Sequence, residues 1–152
     1  MKQRHPGTFN ANPLSAVAGA AALEIVSTGE PTRAANATAR RLRAGLNRLF
    51  AEKGVDWVSY GEFSGVKIVP SYKGPRPTSD DFIPYNNQYD RLDVPSDPKL
   101  SRALRCALLL GGIDLSGWRG MTSSEHTNED VDATVAAFAQ AIDLLREGGL
   151  LA

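Results

Sequence analysis

One cysteine and two histidines stand among 152 residues. With Cys106 alone, no intrachain disulfide and no cysteine-based zinc site can form. The spacing puts Cys106 on an apolar helix, where a lone cysteine is expected to serve as a small core residue. No apolar run reaches the length of a membrane span. The amino-terminal Met-Lys-Gln-Arg-His has no apolar segment of the kind a signal peptide needs. Excess charge is absent too: 17 basic residues balance 17 acidic ones. Without a net field, the chain has no means of drawing in nucleic acid or an anionic membrane at long range. Arg40, Arg41, Arg43 and Arg48 cluster locally, with a spacing that reads as the solvated face of a helix. These absences lead to a soluble cytoplasmic protein with neither a nucleic-acid nor a membrane partner.

What is present suits one globular domain. Hydrophobic residues make up 42% and charged residues 22% of the chain, and its length allows a real core. The most informative stretch is Pro6-Gly7-Thr8-Phe9-Asn10-Ala11-Asn12-Pro13 and the small, apolar run behind it to Val26. Asn12 is a good helix cap and Pro13 suits the first helical position. A helix apolar nearly all round belongs against another surface. Ahead of it, Gly7 permits close backbone approach and Thr8 supplies a hydroxyl. Beside a helix amino-terminus, the pair suits a phosphate or carboxylate cradle. An ordinary turn entering a helix explains the same residues, and the local chemistry leaves both readings open.

Spacing predicts the remaining elements. A first helix covers Pro13 to Ser27. A second opens at Pro31 and runs to Gly54, with Leu42, Leu46, Leu49 and Phe50 as its apolar stripe. Residues 55–60 and 63–69 read as two short strands joined as a hairpin, with Trp57 and Tyr60 in packing roles. Residues 71–96 hold four prolines and read as a long irregular loop; Phe82, Tyr85 and Tyr89 in it suit an apolar patch, a substrate mouth or a subunit boundary. Asp97-Pro98 starts a helix through Leu110. Residues 113–115 and 118–122 are strand candidates. Thr127 and Asp130 form a capping box for a final helix with a seam of Val131, Val135, Phe138, Ile142 and Leu145. Helices alternating with short strands give an α/β sandwich.

Three strings carry a family resemblance: GTFNANPLSAVAGAAALEI, YGEFSGVKIV and GIDLSGWRGMTSSEHTNEDVDATVAAFAQAI. They lie in order from about residue 5 to about residue 147 and resemble the C-terminal portion of class-III pyridoxal-phosphate-dependent aminotransferases, in the branch with glutamate-1-semialdehyde aminomutase and β-amino-acid aminotransferases. The resemblance implies the C-terminal domain of a fold-type-I enzyme: a small, mostly antiparallel sheet with helices packed on one side. It divides the chain into residues 1–30, a phosphate-contacting segment and linking helix from a large domain, and residues 31–152, the small domain. It also implies a homodimer, a small-molecule amino substrate and pyridoxal 5′-phosphate as cofactor.

In the family a Gly-Thr pair reaches across the dimer to the cofactor phosphate. That role falls on Gly7 and Thr8, with weaker claims for Asn10 and Asn12. The cofactor lysine of the family lies upstream of this pair. Lys2 lacks its apolar, Gly-rich context, so the chain contains no catalytic residue of its own and is expected to be inactive alone. The aminomutase commonly has Gly where Ala11 stands and Glu where Trp118 stands. The second departure lies on the substrate side, marks Trp118 as a candidate there, and favours a transaminase for a bulkier or more apolar amino compound. Ser123, Ser124 and His126 lack a partner acid and read as the approach to a helix cap. The alternative to an enzyme part is a non-catalytic, detached interaction domain.

Overall fold

The computed structural model describes residue 7 and residues 12–92, 97–115 and 117–151. Helix α1 (Pro13–Ser27) begins at Asn12, whose side-chain oxygen accepts from the N–H groups of Leu14 and Ser15. Gly29, in the left-handed region at φ 70°, turns the chain into α2 (Glu30–Glu52). Two strands follow, β1 (Val58–Tyr60) and β2 (Gly65–Val69). Between them Gly61 adopts φ 156°, and a Cβ there would lie 2.3 Å from the Gly65 carbonyl oxygen. Only glycine fits this turn. Short helix α3 (Tyr89–Leu92) and helix α4 (Pro98–Leu110) precede β3 (Arg119–Met121). The chain then enters α5 (Asn128–Glu147), whose Thr127–Asp130 capping box has both of its reciprocal bonds.

The three strands form one antiparallel sheet in the order β1-β2-β3. Val58 faces Val69 and Ser59 faces Ile68 in the first ladder; Val66 faces Gly120 in the second. Alternation along these strands separates two faces. Val66 and Ile68 join Trp57 and the stripes of α2, α4 and α5 in the main core. Phe50 stands at its centre, edge-on to Trp57 at 5.5 Å and to Phe138 at 6.0 Å. Truncating a phenylalanine so placed costs about 3–5 kcal/mol. Val58 and Val69 point the other way and meet Tyr72, Phe82, Tyr85 and Leu92.

The region after β2 is therefore not structureless. It folds back over the second face of the sheet, making a 3-10 turn at Pro84–Asn87 and the short helix α3. Tyr72 is buried there, with Phe82 edge-on at 5.9 Å and Tyr85 tilted at 4.7 Å. Phe82 and Tyr85 thus cover an apolar patch of this chain's own sheet, while the side chain of Tyr89 lies outside the described residues.

Three further expectations need correction. Residues 113–115 form no strand, because the Ile113 N–H closes the end of α4 by donating to the Leu108 carbonyl. Cys106 is exposed, not a core residue; α4 buries Leu104, Ala107 and Leu108, and position 106 falls off that stripe. The arginine run is not uniformly solvated either. Arg43 is 3% exposed.

No residue of α1 is buried. Leu14 and Leu23 are 79% and 70% exposed, and Val17, Ile25 and Val26 are exposed with them. A contiguous apolar surface of this kind drives association. The isolated chain is expected to self-associate at micromolar concentration, and replacing Val17 and Leu23 by glutamate to restore a monomer. Sedimentation velocity checks both; a monomeric unsubstituted chain would refute the expectation.

Candidate functional site

The proposed phosphate pair sits at the approach to α1. Gly7 is exposed, which suits close approach by another body, whereas Thr8, Asn10 and Ala11 lie outside the described residues. The helix amino-terminus itself has little left to offer an anion. Pro13 has no N–H, Asn12 Oδ1 takes those of Leu14 and Ser15 at 2.9 and 3.4 Å, and Ala16 N donates to the Asn12 carbonyl. The first turn of α1 therefore has no free amide left to hold an anion. Asn12 is committed to its cap.

Trp118 stands at the entry to β3, and its carbonyl accepts from Ile68 N at 2.7 Å. Its indole Nε1–H donates to Ser101 Oγ on α4 at 2.9 Å. Its ring meets Trp57 edge-on at 5.1 Å. The side chain is thus half-buried and braced between the core and α4.

Ser123 and His126 do meet. His126 Nδ1 lies 3.0 Å from the Ser123 amide nitrogen and 2.9 Å from its Oγ. The amide is a donor, so Nδ1 is the unprotonated acceptor of this imidazole. Both side chains are exposed, and Ser123 Oγ in turn accepts from Glu125 N. This is a hydrogen-bonded turn leading into the Thr127 cap, as the sequence suggests. Asp130 in that cap is held below the usual carboxylate range, chiefly by the Thr127 backbone N–H and then its hydroxyl.

One polar constellation escapes the sequence reading. The Arg43 guanidinium donates to both carboxylate oxygens of Asp80 at 2.8 and 2.7 Å, and to the carbonyls of Phe63 at 3.2 Å and Gly65 at 2.7 Å. It ties α2, the β1–β2 turn and the segment after β2 to one buried point. These hydrogen bonds hold the Asp80 carboxyl below its ordinary value. The available signal was spacing: Arg43 stands four residues after Ala39 and three before Leu46, both buried, so it occupies the stripe and not its flank. Among the described residues no cluster of His, Cys, Asp or Glu has the makings of a metal site, and no helix is long and apolar enough to cross a membrane.

Comparison with known proteins brings these features together. No family model matches the chain. Glutamate-1-semialdehyde 2,1-aminomutase of Pyrobaculum arsenaticum is 32% identical over 149 residues, which cover 92% of this chain and 31% of that enzyme. The enzyme of the same name from Pyrobaculum islandicum is 30% identical over 150 residues, with the same coverage. Among solved structures, an omega-transaminase from Sphaerobacter thermophilus superposes with a TM-score of 0.73 at 29% identity, over 95% of this chain and 31% of its own. A beta-phenylalanine aminotransferase from Variovorax paradoxus does so with a TM-score of 0.70 at 28% identity, over 99% of this chain and 32% of its own.

The fold is that of the corresponding part of a pyridoxal-phosphate transaminase. The chain is similar to the C-terminal portion of class-III pyridoxal-phosphate-dependent aminotransferases and aminomutases. It spans 31% of the length of the curated relatives named above.

Proposed function

We propose that the chain is the cofactor-contacting C-terminal part of an aminotransferase acting on an amino acid or related amine. Residues 1–30 form the segment leaving the large domain, and residues 31–152 the small domain. The reading rests on one observation: relatedness in sequence and in fold covers at least 92% of this chain and falls on an aminomutase and on transaminases. Pyridoxal 5′-phosphate, when bound, supplies the electron-withdrawing chemistry of amino transfer. The chain's own contribution is positional. Gly7 admits the phosphate of a cofactor held by the neighbouring subunit, and the Thr8 hydroxyl donates a hydrogen bond to it. Exposure of Gly7 and the already capped α1 support this division of labour.

The lysine that holds the cofactor belongs, in this proposal, to an upstream domain. The purified 152-residue chain is expected to show no amino transfer when supplied with pyridoxal 5′-phosphate, an amino donor and a 2-oxo acid. Activity is expected when this sequence follows a lysine-bearing domain in one polypeptide. Turnover by the purified chain would refute the proposal.

The second reading is a 2,1-aminomutase, favoured by the names of the sequence relatives. Trp118 bears on the choice. A bulky indole braced on Ser101 and Trp57 offers no carboxylate where the aminomutases commonly have Glu. Incubating the longer enzyme with glutamate 1-semialdehyde and no external amino acceptor separates the two. Isomerisation would establish the aminomutase; a requirement for an acceptor would establish the transaminase.

A further inference from the structure

The two edges of the sheet are finished differently. At the β1 edge, Asn47 Oδ1 accepts from Ser59 N at 2.7 Å, and Asn47 Nδ2 donates to the Ser59 carbonyl at 2.8 Å. Arg76 donates to the carbonyls of Val55 and Trp57 at 2.7 and 2.8 Å. Side chains from α2 and the following segment therefore occupy the main-chain groups that an incoming strand would use. At the β3 edge the ladder bonds run from Ile68 N to the Trp118 carbonyl and from Thr122 N to the Ser64 carbonyl. Antiparallel alternation makes Val66 and Gly120 the bonded pair between them. The N–H and C=O groups of Arg119 and Met121 consequently point away from β2, and no partner for them exists among the described residues.

Beside this open edge lies a groove of about 300 Å³ whose walls include Leu46, Val66, Ile68, Leu115 and Phe138. Gly120 borders it with Leu115 packed close above, since a Cβ there would come within 2.9 Å of Leu115 Cδ1. On the opposite face Arg119 is exposed and stands directly across from Lys67. Lys67 Nζ turns to the Leu92 carbonyl at 3.4 Å and lies 6.0 Å from the Tyr60 ring, and among the described residues no carboxylate pairs with Arg119.

We propose that β3 is a docking edge for an extended, apolar–apolar–acidic peptide segment running antiparallel to it. Pairing with Arg119 and Met121 supplies the main-chain bonds. The residue opposite Gly120 projects into the groove and is aliphatic. The residue before it covers the exposed Met121. The residue after it lies opposite Arg119 and is acidic, which gives that guanidinium a carboxylate partner. A second copy of this chain is a poorer occupant: two-fold pairing about Gly120 sets glycine opposite glycine and leaves both grooves empty.

The inference is independent of the aminotransferase reading, and amide hydrogen exchange tests it residue by residue on the full chain. The probe is the peptide acetyl-Thr-Val-Leu-Glu-Thr-amide. The Gly120 and Thr122 amides are expected to be protected with or without it, and those of Arg119 and Met121 only with it. Replacing the probe's leucine by serine is expected to weaken binding about tenfold to a hundredfold. Replacing its glutamate by lysine weakens binding to the parent chain, and Arg119→Glu restores it. If Arg119 and Met121 are already protected in the free chain, the proposal fails: protection lost on dilution identifies a second copy, and protection that persists identifies a closed edge. Failure of millimolar probe to protect them also overturns it.

Discussion

Replacing Arg43 by methionine is expected to cost the chain about 3 kcal/mol, the low end of the range for breaking a buried ion pair by removing one partner. The low end applies because the Asp80 side chain keeps 24% of its exposure and Arg40 still reaches it at 3.2 Å. For a chain of this length the loss lowers the melting temperature by about 6–12 °C. Methionine preserves the aliphatic packing of the stem, so the change reports the charge and its hydrogen bonds. The Phe63 and Gly65 carbonyls lose their shared donor at the same time.

Acid titration gives a second signature. The Arg43 hydrogen bonds, offset in part by burial, hold the Asp80 carboxyl below its ordinary value. Protonation must therefore be forced on the folded chain. The stabilisation is full above about pH 3.9, the unfolded carboxyl value, and is lost as the pH falls through the lower folded value. The difference in stability between parent and Arg43→Met should shrink across that window. Equal melting temperatures at pH 7 would show that this cluster carries no net stabilisation.

Thr8→Val in the longer enzyme is expected to weaken cofactor retention about tenfold to a hundredfold while leaving the fold intact. A hydrogen bond to a charged group is worth roughly 1.5–3 kcal/mol, and each tenfold in affinity corresponds to about 1.4 kcal/mol. Valine keeps the shape of threonine and removes only the hydroxyl. Because the proposed contact crosses the dimer, mixed dimers are decisive. One subunit lacks the cofactor lysine and carries Thr8→Val; its partner keeps the lysine and receives its threonine from the altered chain. Cofactor retention in the lysine-bearing subunit should fall. Retention equal to that of the parent would make Thr8 a turn residue.

The helices were legible because their signals are local. Asn12-Pro13, Asp97-Pro98 and Thr127 with Asp130 each announce a helix start within four residues, and the observed starts are Pro13, Pro98 and Asn128. The hairpin was legible for the same reason. What escaped depends on partners distant in sequence. Arg43 reads as a surface arginine until Asp80, 37 positions on, is brought to it. The proline-rich segment shows no periodicity, because its order comes from Tyr72 and Phe82 resting on Val58 and Val69. Residues 113–115 alternate like a strand, yet Ile113 lies within reach of an unsatisfied helix-end carbonyl. The Gly7-Thr8 reading came from resemblance: a glycine and a hydroxyl specify no ligand when its remaining contacts belong to another polypeptide stretch.

The exposed α1 also bears on how a cell handles a solitary copy. Chaperones and proteases sort proteins by the apolar surface they display. A copy without its covering surface displays a 15-residue helix bearing Leu14, Val17, Leu23, Ile25 and Val26 to solvent, the kind of feature that marks an orphan. A partner surface that covered this helix would conceal the mark, and the abundance of the chain would then follow the supply of that surface.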